Sequence, residues 1–287
     1  LRSWKTRAWG TVQPLLIAAG RVGADRRALP DFLIVGAQRS GTTSLHEWLG
    51  AHPAVRFPRL GKGVHYFDTA ADRDLTWYRS HFPTRASLAR AARRTGVDRI
   101  RVGEGSPYYL FHPAVPARVE RALPAVQLIA ILRDPVARAW SHYLHERRRG
   151  FEDLDFVEAL DAEAARLATV TPSDLERPGF VSAEHQHHGY AARGRYAEQL
   201  ERWFAVTGRD RWCVVFDREL YAADGAGQKR VREFLSLPDV GAFEFPRSNA
   251  TKSEPMPEAG RARLIAMLAG EGERVATLLG RDPGWSV

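Results

Sequence analysis

Cysteine is almost absent from this 287-residue chain: Cys213 stands alone, so no intramolecular disulfide and no cysteine-built zinc cluster can form. Lysine is nearly as scarce, occurring only at Lys5, Lys62, Lys229 and Lys252, so arginine carries most of the positive side of a net charge of +8. No apolar run approaches the roughly 20 residues that a membrane-spanning helix requires; Leu15-Leu-Ile-Ala-Ala19 is far too short. Internal repeats and low-complexity segments are also missing. What remains is 44% hydrophobic and 26% charged, an ordinary globular composition that fits one large α/β domain or two small ones. The basic balance favours polyanionic partners, and arginine forks suit phosphate and sulfate. Cys213 lies in the apolar run Trp212-Cys-Val-Val-Phe216 and reads as inert core.

The stretch from Asp31 to Ser44 organises the rest. Phe32 to Val35 is a β-prone apolar run without polar interruption, the pattern of a strand buried on both faces. It breaks at Gly36 into a small-residue loop and passes into a helical segment with apolar positions at Leu45, Trp48 and Leu49. Strand, tight loop and helix start together make an anion site, because backbone N–H groups converge there at the positive end of the helix dipole. The loop Gly36-x-x-x-x-Gly41-Thr42-Thr43 approximates the phosphate-binding pattern G-x-x-x-x-G-K-[ST], but Thr42 stands where the lysine belongs and Arg39 places a cation inside the loop. A kinase or ATPase lacking that lysine is handicapped at the β/γ-phosphates. A site for a 5′-phosphate with another leaving group is not.

Further strands are expected near 55–57, 100–103, 126–132 and 212–216, alternating with helices near 72–81, 85–95, 113–123, 135–149, 153–168, 196–207, around 231–235 and over 257–279. The segment between about 169 and 190 reads as a Thr/Pro/Ser-rich loop followed by a histidine-rich passage. Strands alternating with helices indicate an α/β fold of three layers around a mostly parallel sheet, with ligands at the carboxyl ends of the strands. Residues 1–30 read as a basic N-terminal helical arm and 31–287 as a single domain.

Two motifs carry a resemblance. Gln38-Arg39-Ser40-Gly41-Thr42-Thr43 is similar to the 5′-phosphosulfate loop of the PAPS-dependent sulfotransferases, which usually has lysine where this chain has Arg39. Leu132-Arg133-Asp134-Pro135-x-x-Arg138-Ala-Trp140-Ser141 is similar to their 3′-phosphate motif, in which an arginine at a strand end and a serine eight residues later hold the phosphate; Arg133 and Ser141 match that pair. Val102 to Tyr109, Gly194 to Trp203 and Leu279 to Trp285 resemble later family segments, so the likeness runs from about Asp31 to Trp285. It is nearest the branch of heparan-sulfate-type enzymes and their bacterial relatives.

The resemblance implies a sulfotransferase fold and transfer of a sulfuryl group from PAPS to a hydroxyl or amine, with release of PAP and no metal. It assigns the donor to Arg39, Ser40, Gly41, Thr42, Thr43, Ser44, Arg133 and Ser141, with Lys252 reaching the 3′-phosphate. The chain departs from the branch at Lys62-Gly63-Val64-His65-Tyr66-Phe67, where Gly63 holds the place of the catalytic glutamate, and at Gly105, where a lysine is usual. Glycine accepts no proton. The general base then falls to His65, next to Glu104 and then Asp68. His185, His187 and His188 lack the partners of a zinc site. The expected acceptor is a small molecule or a carbohydrate, with no nucleic acid and no stable membrane insertion. The expected setting is the cytoplasm of a bacterium, with room for an anchor upstream of Leu1. A P-loop kinase and a non-catalytic anion or polysaccharide binder are the competing readings.

Overall fold

The computed structural model describes residues 17, 18, 20–59, 61–241, 244–248 and 254–287. Most of the expected basic arm and Lys252 lie outside the described residues. Within the arm's described part, Ala24–Arg26 forms a short 3-10 turn and Arg27 bridges to Thr84.

Five strands make one sheet among the described residues: β1 (Phe32–Gly36), β2 (Val55–Arg56), β3 (Arg101–Gly105), β4 (Gln127–Leu132) and β5 (Trp212–Phe216). Their order is β2-β3-β1-β4-β5 and every pairing is parallel. The three strands β1, β4 and β5 read as nearly unbroken apolar runs because both faces are covered. Period-2 alternation deals their side chains into two cores. Leu33, Val35, Leu128, Ala130, Leu132, Val214 and Phe216 pack on one side with Tyr196, Leu200 and Trp203. Phe32, Ile34, Ile129, Ile131, Cys213 and Val215 pack on the other with Leu45, Trp48, Leu49 and Val231. The three-layer α/β expectation is met, and β1 sits at the centre of the sheet.

Helix Tyr196–Thr207 and strand β5 occupy the bounds read from the sequence. Helix Pro135–Arg149 starts on a proline, with the Asp134 carboxylate accepting from the Ala137 N–H at 2.7 Å. Two expectations are corrected. The last helix is two, Glu258–Met267 and Glu271–Leu279, because Gly270 at φ 78 breaks the ladder. The segment read as a loop and histidine-rich passage contains two capped helical turns, Pro172–Glu176 and Ala183–His187.

Candidate active site

The carboxyl ends of β1 and β4 open into a cleft of about 660 Å³. Gln38 to Thr43 form one wall; Lys62, Arg133, Ser141, Tyr221 and Arg247 are among the residues that complete it. The loop is held by its own backbone: the Ala37 N–H donates to the Ile131 carbonyl at 2.8 Å, and the Ser40 N–H donates back to the Ala37 carbonyl at 3.2 Å. Arg39 (φ 71) and Gly41 (φ 98) both take the left-handed conformation that turns the chain into helix Thr42–Ala51. Gly41 caps that helix without a side-chain acceptor. The first helical N–H groups therefore stay available for an anion. The Ser40 amide, which the motif would offer to a phosphate, is engaged by the Ala37 carbonyl.

The second phosphate motif reaches the same cleft from 102 residues away. Arg39 Nε donates to Ser141 Oγ at 3.1 Å, joining the loop to helix Pro135–Arg149. Arg133 Nη1 donates to the Arg39 carbonyl at 3.5 Å, and its Nε lies 3.6 Å from the Asp217 carboxylate. Burial lowers the Arg39 pKa, and repulsion from Arg148 and Arg133 lowers it further. Cations crowded this way gain most from an anion between them. Burial also raises the Asp217 carboxyl, opposed by Arg133.

From the segment 61–68, Lys62 lines the cleft, while His65 and Asp68 lie beside it and are not among its lining residues. Lys62 Nζ donates to Thr42 Oγ1 and Thr43 Oγ1, each at 3.0 Å, so a lysine does reach the loop although none stands at position 42. Burial is the main cause that brings its pKa down to about 7; Arg39 adds to it and Glu47 opposes it. From the sequence alone Lys62 is assigned no role; its one signal is the lysine standing first in Lys62-Gly63-x-His65.

His65 sits at φ 56 with its side chain 40% exposed, its Nδ1 2.9 Å from the fully buried Asp68 carboxylate. That contact places the proton on Nδ1 and leaves Nε2 as an acceptor. Burial lowers the His65 pKa, but the Asp68 hydrogen bond and the charges of Asp68 and Glu104 outweigh it and the net shift is upward. A side chain at Gly63 would begin 2.8 Å from Ser106 Oγ and 3.1 Å from His65 Nε2. The imidazole and Ser106 thus fill the space where the missing glutamate would start.

Glu104 stands one residue before the end of β3 at Gly105, and its carboxylate is occupied by neighbouring donors. It is fully buried, and its carboxylate accepts from Ser106 Oγ (2.5 Å), Tyr78 Oη (2.8 Å), Tyr109 Oη (3.1 Å) and the Val64 N–H (3.2 Å). Burial raises its pKa against those donors. Ser106 Oγ in turn accepts from the His65 N–H at 3.1 Å, so Glu104 anchors the backbone that carries the imidazole. Ser44 is buried and does not itself line the cleft: its hydroxyl accepts from Tyr221 Oη at 3.0 Å and from the Ser248 N–H at 3.1 Å, two residues that do. The three late histidines diverge, His185 to Tyr108, His187 to Glu146 and His188 to Glu184.

A family model described as "Sulfotransferase family" matches residues 30–188. Human heparan sulfate glucosamine 3-O-sulfotransferase 6 is 31% identical over 242 residues, covering 81% of this chain and 60% of the relative. The mouse protein of that name is 29% identical, covering 92% of this chain and 75% of the relative. The bovine bifunctional heparan sulfate N-deacetylase/N-sulfotransferase 2 is 26% identical, over 73% of this chain but only 22% of its own length. Among solved structures, a sulfotransferase from Alicyclobacillus acidocaldarius superposes with a TM-score of 0.66 at 28% identity, covering 89% of this chain and 97% of that one. Among the described residues no helix is long and apolar enough to cross a membrane.

Proposed function

The chain belongs to the sulfotransferase family, and from that premise we propose that it moves a sulfuryl group from PAPS to a hydroxyl or amine, releasing PAP. The amides from Gly41 to Thr43 and the Arg39 guanidinium receive the 5′-phosphosulfate, where fixed donors offset the charge that grows on the departing phosphate oxygen. Arg133 and Ser141 take the 3′-phosphate, which discriminates against nucleotides lacking that group. His65 Nε2 accepts the acceptor's proton during in-line attack, oriented by Asp68. The observation that carries this reading is the Arg39–Ser141 hydrogen bond of 3.1 Å, which unites two phosphate motifs from distant parts of the sequence around one cleft.

The names of several relatives, which specify heparan sulfate glucosamine, support a glycan acceptor. A glycan hydroxyl or amine is the proposed target, in keeping with the arginines that line the cleft. Incubation with sulfur-labelled PAPS and partly desulfated heparan sulfate tests it. Label on the glycan, matched by an equal amount of PAP, is expected. PAP binding without any labelled glycan would move the acceptor to another class, and transfer of phosphate from ATP–Mg²⁺ would overturn the donor assignment.

A further inference from the structure

Resting on the sulfuryl-transfer reading, we propose that Lys62 is the general acid of the reaction, protonating the 5′-phosphate oxygen as it leaves. The starting observation is spatial. A side chain at Gly105 would begin 3.4 Å from Lys62 Cε and 3.7 Å from Lys62 Cγ, so the Lys62 stem runs through the space that glycine leaves open. Its Nζ then bonds both Thr42 Oγ1 and Thr43 Oγ1 at the start of helix Thr42–Ala51, where a 5′-phosphate oxygen would rest. The loop's own cation cannot do this work: Arg39 is an arginine, and a guanidinium does not give up its proton in the relevant range. Lys62 is the movable proton carrier of this wall.

Its surroundings suit the role. Glu47 and His46 face it from helix Thr42–Ala51, Arg39 from the loop and His65 from its own segment. Burial first, then Arg39, bring its pKa to about 7 against the pull of Glu47. The His46 imidazole, buried and beside Lys62, is held down at about 4 and stays neutral. A lysine poised near the working pH can both hold and release a proton.

The step balances. The acceptor oxygen forms its bond to sulfur as the bond from sulfur to the 5′-phosphate oxygen breaks. The electron pair of the breaking bond stays on that oxygen, which takes a proton from Lys62. The acceptor's proton passes to His65 Nε2. Solvent then removes the proton from His65 and restores one to Lys62.

With so few lysines in the chain, ¹³Cε-labelled lysine gives a readable NMR titration. One signal should titrate near pH 7, disappear in Lys62→Arg, and move several units upward when PAP is added. Lys62→Arg should keep PAP affinity within about threefold. It should slow PAPS turnover, read as PAP and inorganic sulfate with water as acceptor, by about 10²-fold, and abolish its alkaline limb. Four lysines titrating at the ordinary value, or a Lys62→Arg enzyme with unchanged rate and pH profile, would overturn the proposal while leaving PAP binding intact. Failure of the unaltered protein to bind PAP would instead bring down the sulfuryl-transfer reading itself, and this inference with it.

Discussion

The two parts of the site are built on different principles. The proposed donor wall, Gln38 to Thr43 with Arg133 and Ser141, uses backbone amides at a helix start and an arginine at a strand end, tied together by bonds between distant segments, Ala37 to Ile131 and Arg39 to Ser141. The neighbouring segment, Lys62 to Asp68 against Gly105 and Ser106, reaches the cleft lining through Lys62 and works by substitution in space. Lysine fills the room beside one glycine, and imidazole and serine crowd another. Geometry that depends on backbone path tolerates side-chain drift. Chemistry that depends on one proton-carrying group does not, so when glutamate is lost at position 63 another residue has to stand within reach.

Altering the proton-handling segment should slow chemistry and spare donor affinity. His65→Asn carries the largest expected effect, a fall in kcat of about 10²- to 10⁴-fold with PAP affinity unchanged. An equal loss of PAP affinity in calorimetry would dissolve the distinction between the two parts. Because the His65 pKa is raised and the imidazole must be neutral to act, kcat/KM should fall with decreasing pH through a value above the ordinary 6.5 of histidine. Asp68→Asn removes the contact that raises it, so the acid limb should shift to lower pH; an unmoved limb would detach Asp68 from His65.

On the donor wall, Arg39→Ala should lower kcat/KM about 10²- to 10³-fold, the scale for removing one donor from a charge-stabilising site. Arg39→Lys should restore most of it. Arg133→Ala removes a charge-assisted contact worth about 1.5–3 kcal/mol, so PAP should bind roughly 10- to 100-fold more weakly while 5′-AMP is little affected. Comparable losses for both nucleotides would show that Arg133 does not read the 3′-phosphate. The smallest effect is expected at Ser44→Ala, about 1 kcal/mol of stability in denaturant unfolding from the lost Tyr221 and Ser248 contacts, with PAP affinity within twofold. A tenfold loss there would return Ser44 to the donor site.

The legibility of the sequence follows the same division. β1, β5 and helix Tyr196–Thr207 were readable because burial on a fixed period writes itself into residue order. Arg133 and Ser141 were readable because both lie on one strand–helix unit. Ser44 lies one helical step of about 100° past Thr43, and its bonds to the cleft-lining Tyr221 and Ser248 join segments that the motif alone does not bring together. The motif around Lys62 shows the lysine but not its reach to Thr42 and Thr43, which depends on the loop 61–68 lying against Gly105 of β3. Glu104 looked like a free carboxylate at a strand end. Only the hydroxyls of Tyr78, Ser106 and Tyr109 around it identify it as a scaffold. The break at Gly270 was hidden by apolar positions that keep helical spacing on both sides of it.

Calorimetric titration with PAP, beside 5′-AMP and ATP–Mg²⁺, tests the central claim most directly, since it asks whether the two phosphate motifs act together on one ligand. Tight binding of PAP, with 5′-AMP weaker by an order of magnitude or more and ATP–Mg²⁺ weaker still, is the predicted result. Preference for ATP–Mg²⁺, or equal binding of PAP and 5′-AMP, would contradict it.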